Sequence, residues 1–349
     1  MQAPTLAHQV DPRLAHPFQS SATASDREAD LPFVSVVVPA HNARPWIGAA
    51  IDSVAAQTHP RWELIVVDDA SDDGTAELVA DRAATDPRVR LLRSPGKGAS
   101  AARNHGAAAC TPEARYLFFL DADDFLRPDA LAHMSRYLER HPEVGLLGCQ
   151  FDVIAYGSDR ILPGHRSRIC RRGWLPKDLP PEQFETPFEV FFCCTGQGPF
   201  AMYRRAVFER TAGWSTDFWG HNDTDMFIQM ALEAPVHYLP DHLYVKRKVR
   251  TSLEHRPGRD ALIGKLRAKW DHYPHPDPAR QAMIDDARRH YYLVHEPLRD
   301  LKVACSALRE FLRAPSTRGA RWTLFLFWCG SSRLVGRRLF GPPDRRKAR

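Results

Sequence analysis

Apolar and polar positions alternate between two periods through the first half of the chain. "VSVVV" (34–38), "WELIVVDD" (62–69), "VRLLR" (89–93) and "YLFFLD" (116–121) are short apolar runs, mostly β-branched or aromatic. Such continuous runs predict strands buried on both faces. Between them lie segments of helical spacing: 45–57, 74–84, the Ala-rich 99–109, and 127–141 with Pro128 near its first turn. "GLLGCQFDVI" (145–154) predicts a further strand. Strand and helix in alternation imply an α/β fold with a mostly parallel sheet covered by helices.

Less regular patterning follows. Residues 155–200 are basic and then proline-rich, and "FFCCTGQGPFAMYRRAVFER" reads as a Gly-containing loop followed by a helix. "VHYLPDHLYVKRKV" (236–249) is β-like. From 256 to 349 the pattern predicts a helical extension rich in arginine. Residues 1–30 are polar without an apolar run and read as a mobile tail. The body of the chain, 31–255, divides into 31–130 and 131–255.

The polar residues are placed where such a sheet binds ligands, beyond the carboxyl ends of its strands. "VVVPAHN", "VVDDASDDG" and "FFLDADD" each end an apolar run in polar side chains. Asp121, Asp123 and Asp124 sit within four positions. Either they form a solvated turn or they share a cation, since like charges this close repel unless neutralised. An all-oxygen set suits Mg²⁺ or Mn²⁺. Asp69 either caps the next helix or accepts a hydrogen bond from a nucleobase or ribose.

Composition narrows the classes. The 349 residues carry a formal charge of +6, which is modest, and no nucleic-acid module accompanies it. No nucleic-acid partner is expected. Seven scattered cysteines without a CxxC pair suit reduced thiols, and hence a cytoplasmic location. No apolar stretch reaches the roughly 18 residues of a membrane span. "WTLFLFWCG", set among arginines near the C-terminus, predicts either a terminal helix docked on the protein or peripheral contact with the inner face of the cell membrane.

Taken together, "VSVVVPAHNARPWIGAAIDSVAAQTHPRWELIVVDDASDDGT", "GASAARNHGAA" and "FFLDADDFLRPDAL" resemble the family 2 glycosyltransferases of the GT-A fold, over roughly 31–255. The resemblance implies a GT-A type, Rossmann-like nucleotide-binding sheet. It also implies inverting, metal-dependent transfer from a UDP- or GDP-sugar to a glycan or lipid-linked acceptor, as in cell-surface polysaccharide synthesis. By position it assigns Pro39, His41 and Asn42 to the nucleotide loop and Asp69 to the base. Lys97 and Arg103 lie on the approach to the donor. Asp121, Ala122 and Asp123 form the DxD motif, with Asp123 and Asp124 as ligands of Mn²⁺ or Mg²⁺.

"GWSTDFWGHNDTDMFIQMA" resembles the segment that supplies the catalytic base, which falls on Asp223. Asn222 replaces the usual Glu, and Asp225 reads as a supporting or helix-start carboxylate. Relatives often complete the metal site with a histidine near Val249; here either that ligand is absent or His255 supplies it from a shifted register. A catalytically weak nucleotide-sugar-binding or scaffold protein is the alternative. Trp214 and Trp219 are either a platform for a sugar face or core.

Overall fold

The computed structural model describes residues 31–94, 98–154, 161–162, 182–184, 200–217, 219–249, 266, 269 and 276–282. The tail, Lys97, His255 and the C-terminal aromatic segment lie outside them. Among the described residues no helix is long and apolar enough to cross a membrane.

The first four strands are β1 (Phe33–Ala40), β2 (Trp62–Asp69), β3 (Val89–Ser94) and β4 (Ala114–Phe119). Helices α1 (Ile47–Ala55), α2 (Thr75–Thr85) and α3 (Ala99–Ala108) connect them. Then come β5 (Phe125–Leu126), α4 (Ala130–Arg140), β6 (Leu146–Ile154), β7 (Ile161–Leu162) and β8 (Glu182–Phe184). The described elements end with β9 (Ala201–Arg204), α5 (Arg205–Phe208), α6 (Asn222–Glu233) and β10 (Val236–Arg247).

One mixed sheet runs in the order β3-β2-β1-β4-β9-β6-β10-β5, with β7 on β6 and β8 on β10. The long pairings (β3 on β2, β2 on β1, β1 on β4, β6 on β10) are parallel, and the short ones are antiparallel. Strands β1 and β2 are almost wholly buried, as their unbroken apolar runs require. Register fixes where they stop. Ala40 lies opposite Asp68, Asp69 opposite Ser94, and Val37 opposite Phe119. The polar residues beyond these ends therefore share one rim. The chain order also reverses at β1, with β2 on one side and β4 on the other, and this is the switch point where an open sheet leaves a crevice.

Two features hold the frame. Helix α3 lies close on the sheet because residue 106 is glycine: a Cβ there would sit 2.3 Å from Val37 Cγ1. The helix expected after a Gly loop is the short α5. Strand β9 precedes it and fills the place between β4 and β6. Its four residues are too few to display a period, and pairing on both sides decides their conformation. The last of them, Arg204, is buried. Its guanidinium donates to the Val144, Leu138 and His141 carbonyls at 2.8, 2.9 and 3.1 Å and to the Tyr116 hydroxyl at 3.2 Å. A fixed cation thus meets the carbonyl end of α4.

At the opposite end of β10 from the rim, His237 is 3% exposed and shares a 2.8 Å hydrogen bond with the Tyr137 hydroxyl. Burial, and then the nearby His141, push its pKa down to about 4.

Candidate active site

The loop after β1 is stapled to the loop after β2. His41 donates from Nδ1 to the Asp69 carbonyl at 2.8 Å, which sets its tautomer and leaves the ring exposed at the rim. Asn42 has φ 49°, a left-handed conformation that asparagine tolerates. Its N–H donates to Ser71 Oγ at 3.0 Å, and its Oδ1 accepts the Asp72 N–H at 3.0 Å. Pro39 is buried inside β1, opposite Val67. Asp69 is 5% exposed, and its Oδ2 accepts the Gly98 N–H at 2.8 Å. That contact ties the end of β2 to the start of α3.

Beyond β4 the three aspartates converge: one carboxylate oxygen from each of Asp121, Asp123 and Asp124 lies within 4.8 Å of the others. Ala122 between them is buried. Their environments differ. Asp121 accepts a 2.6 Å ion pair from Arg103 Nη2, and the buried Arg103 guanidinium lies 4.6 Å over the Trp214 ring. Asp124 is 2% exposed, and both its oxygens are occupied: Oδ2 accepts the Tyr244 hydroxyl at 2.8 Å and Oδ1 the Arg247 N–H at 2.7 Å. The Tyr244 oxygen also accepts the Asp121 N–H at 3.4 Å. Asp123 is disfavoured as an anion. Burial, then the neighbouring Asp121, push its carboxyl up to about 6. Burial and then Asp123 and Asp121 raise Asp124 as well. Three oxygen donors that repel one another in a half-buried loop fit a hard divalent cation, which would relieve both effects.

Asp223 lies at the start of α6. His221 precedes it with φ 61°. Asn222 Oδ1 accepts the Asp223 N–H at 3.0 Å, and Asn222 Nδ2 donates to Ser100 Oγ on α3 at 2.8 Å. Asp223 Oδ1 accepts the Thr224 N–H at 2.8 Å, so this carboxylate sits at the positive end of the helix. Asp225 turns inward. It is fully buried and takes Gln229 Nε2 at 2.9 Å and Lys269 Nζ at 2.8 Å. Trp214 is core, 1% exposed and edge-on to Phe119 at 5.0 Å, which removes it as a sugar platform. Asn104 holds the backbone at Trp214 twice: its Nδ2 donates to the Trp214 carbonyl and its Oδ1 accepts the Trp214 N–H, both at 2.8 Å.

His242, the described histidine on β10 nearest Val249, is engaged elsewhere, 2.8 Å from Asp152, which also pairs with Arg127. Val249 is buried. Lys97 and His255 lie outside the described residues. Tyr244, Ser100, Asn104 and Lys269 were not foreseen. Ser100 and Asn104 had a signal in that both lie in "GASAARNHGAA".

Known proteins are similar to this chain in sequence or in fold. EpsJ of Bacillus subtilis, an uncharacterised glycosyltransferase, is 27% identical over 254 residues, 69% of this chain and 68% of EpsJ. TuaG of the same organism, described as a putative teichuronic acid biosynthesis glycosyltransferase, is 37% identical over 126 residues, 36% of this chain and 47% of TuaG. Among solved structures, Staphylococcus aureus TarS in complex with UDP-GlcNAc superposes with a TM-score of 0.59 at 16% identity, covering 87% of this chain and 92% of that one. The mannosyltransferase PcManGT of Pyrobaculum calidifontis, in complex with GDP-Man and Mn²⁺, gives 0.55 at 22% identity over 88% of each chain. These two share the GT-A fold. Residues 35–211, just over half of the chain, match the description of glycosyl transferase family 2, and the protein belongs to that family of glycosyltransferases.

Proposed function

We propose that this protein is an inverting, metal-dependent glycosyltransferase that moves a sugar from a UDP- or GDP-sugar to a hydroxyl of a glycan or lipid-linked acceptor in cell-surface polysaccharide synthesis. The observation that carries the reading is the meeting of Asp121, Asp123 and Asp124 beyond β4, on the rim where β2 ends at Asp69, with Asp223 on the helix tied to α3. The names of TuaG and the ligands of TarS and PcManGT support the choice of donor and pathway.

In this reading Asp69 and the exposed His41 ring receive the nucleoside. Asp123 and Asp124, with Asp121 beside them, would hold Mn²⁺ or Mg²⁺. Such an ion, when bound, offsets the charge of the departing diphosphate. Asp223 accepts the proton of the acceptor hydroxyl as its oxygen bonds to the anomeric carbon and the carbon–diphosphate oxygen bond breaks. Inversion follows from attack opposite the leaving group.

Asp223→Asn tests the assignment. UDP or GDP with Mn²⁺ should still raise the melting temperature of the variant, by mass action on the folded state. Release of nucleoside diphosphate should fall by about 10²–10⁴-fold, the usual share of a general base. Turnover within a few-fold of the parent would overturn it. The reading as a binding or scaffold protein draws on Asn222 in place of Glu; efficient donor turnover by purified protein excludes it.

A further inference from the structure

Ser100, Arg103 and Asn104 stand at i, i+3 and i+4 on α3 and so share one face of that helix. Each reaches a different element far away in sequence. Ser100 Oγ accepts Asn222 Nδ2 at 2.8 Å, at the start of the helix that carries Asp223. Arg103 Nη2 donates to Asp121 Oδ1 at 2.6 Å, in the donor-side carboxylate loop. Asn104 clamps both backbone groups of Trp214, in the segment leading to α6. The segment is made to fit: Gly213 has φ 73°, and a Cβ there would lie 2.9 Å from Asn104 Oδ1. Gln229 of α6 closes the circuit, accepting the Ala212 N–H at 2.9 Å and donating to the Gly213 carbonyl at 3.1 Å.

We infer that Ser100 and Asn104 are positioning residues for the acceptor half of the reaction: through Asn222 and the Trp214 backbone they hold Asp223 at a fixed place relative to the carboxylates that Arg103 holds. The inference rests on the reading of Asp223 as the base. Neither residue contacts the donor-side aspartates in the structure, so their loss should spare nucleotide binding and tell on the chemical step. Misplacing a reacting group by about 1 Å can cost about 10²-fold in rate. Asn222 takes part on its own terms. Its amide both accepts from the Asp223 N–H and donates to Ser100, a pair of bonds that a glutamate carboxylate, having no N–H, cannot make.

The test compares full-length parent, Ser100→Ala, Asn104→Ala, Ser100→Thr and Asp223→Asn. The readouts are release of nucleoside diphosphate from UDP-GlcNAc, UDP-glucose and GDP-mannose with Mn²⁺ and a bacterial membrane extract as acceptor, and thermal stabilisation by UDP and GDP. Both Ala variants should lose 10- to 100-fold in kcat with donor KM and nucleotide stabilisation within threefold of the parent. Ser100→Thr, which keeps the hydroxyl, should return kcat to within threefold. If Asn104→Ala does not fold, the two Ser100 variants decide. Ala variants with parental kcat, or with kcat and nucleotide stabilisation lost together, overturn the inference. Loss of turnover in Asp223→Asn alone would then leave the base assignment standing. Retained turnover in Asp223→Asn removes both.

Discussion

Replacing Tyr244 by phenylalanine removes a single oxygen from the carboxylate loop. The ring is fully buried and packs on Phe200 at 4.2 Å and Phe118 at 6.4 Å, contacts that phenylalanine keeps. What disappears is the 2.8 Å donor to Asp124 Oδ2 and the 3.4 Å acceptor for the Asp121 N–H. Asp124 is 2% exposed, so water does not readily replace the donor. Removing one partner of a buried hydrogen bond costs about 1–3 kcal/mol. The second Asp124 oxygen keeps the Arg247 N–H at 2.7 Å, which confines the loss to one bond. The expected destabilisation is therefore ~2 kcal/mol, in the middle of the range for losing a buried polar partner. Urea unfolding of the parent, Tyr244→Phe, Asp124→Asn and the double variant measures it, and the cycle should return a coupling of about 1–3 kcal/mol. Equal stability of Tyr244→Phe and parent, within about 0.5 kcal/mol, would refute the reasoning that Asp124 depends on this hydroxyl.

Two further outcomes are expected. Arg204→Met strips donors from the Val144, Leu138 and His141 carbonyls and should lower unfolding free energy by ~3 kcal/mol; a loss under about 1 kcal/mol in urea would show that water or neighbouring groups replace them. His237 has its pKa lowered from 6.5 to about 4, so the unfolded chain binds its proton first as pH falls. Stability should thus be complete above pH 6.5 and decline towards pH 4, by up to ~3 kcal/mol from this group, and His237→Gln should flatten that decline. Parallel pH curves for variant and parent would contradict it.

The sheet was readable wherever one segment carried its own pattern. Runs such as "VSVVV" and "WELIVVDD" are buried on both faces and announce it by being apolar throughout. Strand β9 did not, because "AMYR" is short, ends in a charge and owes its extension to β4 and β6. The site divides in the same way. The aspartates stood out as charges closing an apolar run. Their supports did not: Tyr244 lies 120 residues from Asp124, and Asn222 122 residues from Ser100. A tyrosine in a β-like run and a serine in an Ala-rich helix look like packing until the fold brings them to their partners.

Gly106 touches nothing in the site, yet the site hangs on it. An added methyl group would meet Val37 Cγ1 at 2.3 Å and Val67 Cγ2 at 3.1 Å, and both valines are locked in the sheet. The helix would have to lift as a rod, carrying Ser100, Arg103 and Asn104 with it. Bonds of 2.6–2.8 Å do not survive a lift of that size. The smallest residue in α3 thus works as the fulcrum of the enzyme: one carbon atom beneath the helix would loosen its ties to Asn222, Asp121 and the Trp214 backbone without changing any of the aspartates themselves.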